Sequence, residues 1–138
     1  MIFRATFVIS SEPRLLAALR GAMEQITAVF GWNQTDCRAI ALALQEALTN
    51  KIRHAYHNRP DGIITMEIQA RENRMEFRLT DQGDPPDPEK ICARADGSLT
   101  PGGMGTHIIR DVMDGVLYSS SPEGNHLALT RNFPEPRT

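Results

Sequence analysis

Glu46, Asn50, Arg53 and His57 recur at spacings of four, three and four residues inside a segment of helical pattern. At about 100° per residue these side chains fall within roughly 60° of one another on a helix. One face would then carry a carboxylate, an amide, a guanidinium and an imidazole. Such a set can hold a divalent cation together with phosphate oxygens, and it is equally compatible with a solvated charged face. Further along, Asp81 shares strand parity with Met75, Phe77 and Leu79, so it is expected to point into the core layer. A carboxylate there is costly unless hydrogen-bonded. It either accepts from a ligand donor such as an exocyclic amine, with Gly83 permitting close backbone approach, or caps the turn Asp81-Gln82-Gly83-Asp84. Asn125 follows Gly124 and shares parity with Leu127 and Leu129. It reads either as an inward amide beside Asp81 or as a hairpin turn residue. Finally, Pro101-Gly102-Gly103-Met104-Gly105-Thr106 opens into a helix with Ile108, Ile109, Val112 and Met113 on its apolar side. Free N–H groups at such a helix start suit an anion. Neither a Walker A loop nor a Rossmann fingerprint is present.

These groups need elements to position them. Residues 2–9 alternate as a strand. Ser11 is expected to cap a first helix that carries Leu15, Leu19, Ala22, Met23, Ile26, Val29 and Phe30 and stops at Gly31. A second helix is expected from about Thr35 to Tyr56, with Ile40, Ala41, Leu44, Ala47, Leu48, Ile52 and Ala55 in its apolar arc. Strands follow at 63–70 and 75–80, joined by a hairpin at Glu72-Asn73-Arg74. Residues 82–102 read as a long loop with a short helical piece around 88–94, and loops of this length are usually functional or mobile. A helix at 104–114 and strands at 116–121 and 125–132 close the chain. The order predicts an α+β two-layer sandwich: a mixed, mostly antiparallel sheet with helices on one face. Lys51 projects into the apolar arc of the second helix. Its stem is expected to snorkel to a nearby edge, the alternative being contact with a partner or a phosphate.

The bulk properties narrow the function classes. A chain of 138 residues, 41% hydrophobic and 23% charged, suits one domain over 1–138 with a real core. A net charge of −2 without a Lys/Arg cluster disfavours direct nucleic-acid binding. No apolar run reaches the length of a membrane span and no signal-peptide core is visible, so a cytoplasmic protein is expected. Cys37 and Cys92 lack metal-type spacing and read as reduced thiols. His107 and His126 lack a third ligand and are not read as a metal pair.

Taken together, Leu44-Gln45-Glu46-Ala47-Leu48-Thr49-Asn50, His54-Ala55-Tyr56, Asp81-Gln82-Gly83, Gly103-Met104-Gly105 and Gly124-Asn125 resemble the Bergerat-fold (GHKL) ATP-binding superfamily. Within it the chain is similar to the anti-sigma factor serine-protein kinases of bacterial partner switching. The resemblance spans about residues 3–133. It implies ATP and Mg²⁺ as cofactors, with Glu46 as the base for an attacking serine and Asn50 as the Mg²⁺ ligand. It also implies Asp81 and Gly83 at the adenine, Asn125 where relatives often carry Thr, and Gly103, Met104, Gly105 and Thr106 at the phosphates. Arg53 and His54 are candidates for phosphate contact or helix packing, and residues 84–102 would form the ATP lid. The implied partners are a STAS-type antagonist carrying the phosphoacceptor serine and a sigma factor or similar regulator. A homodimer contact through the first strand and helix follows by analogy. A non-catalytic, ATP-responsive binding module is the alternative implied function.

Overall fold

The computed structural model describes residues 2–86, 91–93, 99–101 and 106–134. Strand β1 (Arg4–Ser10) leads into helices α1 (Leu15–Val29) and α2 (Gln34–Asn50), and α2 continues as a π-helical turn, Lys51–Ala55. Strands β2 (Ile63–Ala70) and β3 (Arg74–Asp81) form a hairpin. Short strands β4 (Ile91–Ala93) and β5 (Leu99–Pro101) pair with each other, then helix α3 (Thr106–Val112) precedes the hairpin of β6 (Gly115–Ser121) and β7 (Gly124–Asn132).

The main sheet has the order β1-β2-β3-β7-β6 and is antiparallel at every pairing. The expected α+β sandwich is therefore present. Alternation decides which face is covered. Ile64, Met66 and Ile68 of β2, Met75, Phe77 and Leu79 of β3, and Leu127 and Leu129 of β7 are buried together with α1, α2 and α3 residues. Removing each such large apolar side chain from water is worth roughly 1.5–3 kcal/mol. The opposite face pairs Thr65 with Thr80 and Glu67 with Arg78, and Glu67 and Arg78 are exposed.

The α2 arc is buried as expected, from Ile40 to Ala55. Its start is set by Asn33, whose side chain accepts from the Asp36 N–H at 2.8 Å. Helix α1 differs from expectation. Its buried stripe is Leu16, Leu19, Met23 and Thr27, while Val29 is 74% exposed. Thr27 fits because its hydroxyl returns to the Met23 carbonyl at 2.7 Å, which satisfies the polar atom inside the helix. Ser11 does not cap α1. It is fully buried, donates to the Arg59 carbonyl and accepts from the Gly62 N–H at 3.0 Å, tying β1's end to the turn before β2. The helical piece expected around 88–94 is contradicted at Ile91–Ala93, which pairs as β4; its remaining residues lie outside the described ones.

Candidate functional site

The site is built where the end of α2 meets the end of β3. Glu46 and Asn50 lie one turn apart on α2, both half-buried, and neither side chain makes a hydrogen bond among the described residues. An unpartnered carboxylate and amide on one helix face are free to accept a cation or donate to an anion. The neighbouring Gln45 Oε1 is buried without a partner among the described residues.

Beyond Asn50 the helix widens. The Tyr56 N–H bonds the Lys51 carbonyl at 3.2 Å, five residues back. Such π turns insert one extra residue and are frequent at functional sites. Across the widened turn Lys51, Ile52, Ala55 and Tyr56 are buried, while Arg53 and His54 are exposed. The helix then stops at His57 and Asn58, whose φ values of 52° and 63° are left-handed. His57 therefore leaves the expected face. Its Nε2 pairs with Asp84 Oδ2 at 2.7 Å on the surface. Of the quartet read on an ideal helix, Glu46 and Asn50 remain on regular α2, Arg53 falls exposed within the π turn, and His57 leaves the helix.

Asp81 closes β3 and is 1% exposed. Its Oδ1 accepts from the Gly83 N–H at 3.0 Å and from Asn125 Nδ2 at 2.9 Å. Asp81 thus faces inward, as its parity predicts, and also closes its own turn, as the capping alternative has it. Gly83 is required by packing: a Cβ there would lie 2.4 Å from the Ala55 carbonyl oxygen. Asp84 N–H bonds that same carbonyl at 2.9 Å, so the chain leaving β3 is laid across the end of the π turn. Gly124, at φ 137°, sits against the Asp81 carbonyl, where a Cβ would come within 2.4 Å.

Asn125 faces inward, as its parity predicts, and is opposite Asp81 in the β3–β7 register. Its amide also donates to the Gly83 carbonyl at 2.9 Å, and its Oδ1 accepts from Tyr118 at 3.2 Å and Ser120 at 2.9 Å. Burial pushes the Tyr118 phenol up, the Ser120 hydrogen bond opposes this, and the Asp81 charge adds to the rise. Sequence reasoning missed Tyr118 and Ser120. Ser120 is directly opposite Asn125 across the β6–β7 hairpin, so that register carries the signal.

Lys51 corrects an expectation. It does not snorkel to an edge: it is 8% exposed, and its ammonium donates to Asp81 Oδ2. Burial lowers its pKa from the ordinary lysine value, against the pull of the Asp81 charge and hydrogen bond. Lys51 projects inward as its helical position predicts, and it stays there because the Asp81 carboxylate at the end of β3 receives its ammonium.

Gly103, Met104 and Gly105 lie outside the described residues, as does part of 84–102; Thr106 opens α3. Among the described residues no group of His, Cys, Asp and Glu could hold a metal ion, and no helix is long and apolar enough to cross a membrane. Cys37 is buried and free.

Residues 9–131 match the profile of the histidine kinase-like ATPase domain. The chain is 26% identical over 131 residues to the serine-protein kinase RsbW of Bacillus velezensis, covering 89% of this chain and 81% of that one. It is 31% identical over 99 residues to an anti-sigma F factor of Clostridium botulinum, covering 68% and 69%. Among solved structures, the RsbU and RsbW domains of Rv1364c from Mycobacterium tuberculosis superpose with a TM-score of 0.66 at 12% identity. That match covers 97% of this chain and 33% of the other, and it speaks for the fold alone. By its profile match and its relatives, this chain belongs to the histidine kinase-like ATPase family, in the group of the anti-sigma serine-protein kinases.

Proposed function

We propose that the chain is an ATP-dependent protein serine kinase that acts as an anti-sigma regulatory factor in the bacterial cytoplasm. Its acceptor is a serine of a STAS-type antagonist, and its other partner is a sigma factor or similar regulator. The observation that carries the reading is the buried Asp81, organised by Gly83 and Asn125, beside a helix face on which Glu46 and Asn50 stand unpartnered among the described residues.

The donor set fits the group. A buried, hydrogen-bonded carboxylate at a strand end is an acceptor for a base amine. The half-buried Asn50 amide oxygen suits a hard cation that keeps most of its water. Glu46, one turn away, takes the proton from the attacking serine hydroxyl. ATP with Mg²⁺ supplies the transferable phosphoryl group and neutralises its charge, and the protein's part is positioning. Gly103, Met104, Gly105 and Thr106 are assigned to the phosphates from their sequence pattern, with Arg53 and His54 as further candidates.

A second reading, a non-catalytic module that responds to ATP, is favoured by one observation: Asp81 is already bonded by Lys51. Transfer of labelled phosphate to a STAS-domain protein separates the two. The kinase reading expects a phosphoserine product that Glu46→Gln abolishes while ATP binding persists. ATP binding by the wild type without any transfer would leave the second reading standing.

A further inference from the structure

The base-recognition end of the site holds one group that the proposed chemistry does not use. Asp81 offers about four lone-pair positions on its two oxygens. Gly83 N–H and Asn125 Nδ2 take Oδ1, and the Lys51 ammonium takes Oδ2. The carboxylate is 1% exposed and the lysine 8%. An amine arriving at Asp81 therefore meets an ammonium already there. An ammonium carries three N–H donors, and only one is spent on Asp81 among the described residues. Lys51 and Asp81 consequently set a donor and an acceptor side by side at the end of β3.

We propose that Lys51 is a specificity-determining residue of the base subsite, which makes the pocket accept a 6-oxo purine nucleotide as well as a 6-amino one. This rests on reading the Asp81 pocket as the base subsite. A 6-amino group donates to Asp81 but competes with Lys51 for Oδ2. A 6-oxo group would meet a bare carboxylate unfavourably, acceptor against acceptor; here it accepts from the ammonium, while the ring N–H beside it donates to Asp81. Lys51 thus weakens the first ligand and admits the second. A lysine serving only to neutralise a buried charge would alter fold stability without changing the preference between the two bases.

Calorimetric titration with MgATP and MgITP tests the idea, because the two ligands differ at the purine 6-position. The wild-type chain is expected to bind them within about tenfold of each other, where a site built for one hydrogen-bonding pattern discriminates far more. Lys51→Ala and Lys51→Met are each expected to raise the ATP-to-ITP affinity ratio by about tenfold or more. Circular dichroism verifies that they are folded. A wild-type preference for ATP beyond about a hundredfold overturns the proposal even if neither variant folds. An unchanged ratio in the folded variants also overturns it. If in that case Asp81→Asn still weakens ATP binding, the base subsite stands and only the role of Lys51 falls. Absence of nucleotide binding by every form removes both.

Discussion

Asn125 lies directly opposite Asp81 across the β3–β7 pairing and spends one amide hydrogen on its carboxylate and the other on the Gly83 carbonyl, both at 2.9 Å. With Tyr118 and Ser120 donating to its oxygen, every hydrogen-bonding capacity of this buried amide is used. An inward asparagine is tolerated in an apolar layer only on such terms.

Removing that amide strands several partners at once. Asn125→Ala is expected to lower stability by about 2 kcal/mol or more, because buried groups lose their partners. Asn125→Thr, which retains a hydroxyl, should lose less. Urea unfolding at neutral pH measures both.

Gly83→Ala tests the contact between the β3 exit and the π turn. The new Cβ would meet the Ala55 carbonyl oxygen at 2.4 Å, and backbone cannot yield as a flexible side chain can. A loss of about 1–3 kcal/mol is expected, the usual range for overpacking. Equal stability to wild type in a chemical melt would mean that this crossing is not held as described.

The Lys51–Asp81 pair gives stability a pH dependence with a defined sign. Lys51 has a lowered pKa in the folded state, so above that value the unfolded chain binds more protons than the folded one. Its contribution therefore makes stability rise with pH, from the lowered value up to the ordinary 10.5. Tyr118, raised from 10.0, acts oppositely: above that pH the unfolded chain loses a phenolic proton that the folded one keeps. Unfolding free energies of wild type and Lys51→Met, compared from neutral pH up to the ordinary tyrosine value of 10.0, are expected to differ in slope by the lysine's rise.

By contrast, the His57–Asp84 pair is exposed at both ends. His57→Ala should change stability by less than about 0.5 kcal/mol, as surface pairs generally do. His57→Gly is expected to do slightly better than alanine, since the position is left-handed. Thermal melts of the two variants side by side check the order.

Much of this was legible in the residues. Parity on β3 and β7 placed Asp81 and Asn125 inward, and both are buried; the period of α2 named its core arc from Ile40 to Ala55. Two things escaped. One is the π turn, since a single widened turn leaves no mark on a 3.6-residue period, and the left-handed backbone that follows it takes His57 from where an ideal helix puts it. The other is the partnering of polar groups across strands. Ser11 has the composition of a helix cap, yet its partners Arg59 and Gly62 are distant in sequence and only the β1–β2 pairing brings them near. The phase of α1 was misjudged because Thr27 counts as polar in a pattern but satisfies itself within the helix.

The pairing of β3 with β7 joins two hairpins across residues 82–114, a stretch that includes β4, β5 and α3, with Asp81 and Asn125 standing 44 positions apart. Between any two paired hairpins the entropic cost of added chain grows slowly, since doubling a flexible loop costs only about 0.6 kcal/mol. The sheet is therefore nearly indifferent to how long a segment it carries between the hairpins. Insertions and deletions can accumulate there over evolutionary time while the frame around Asp81 is kept, so the fold can vary one side of its site without renegotiating the other.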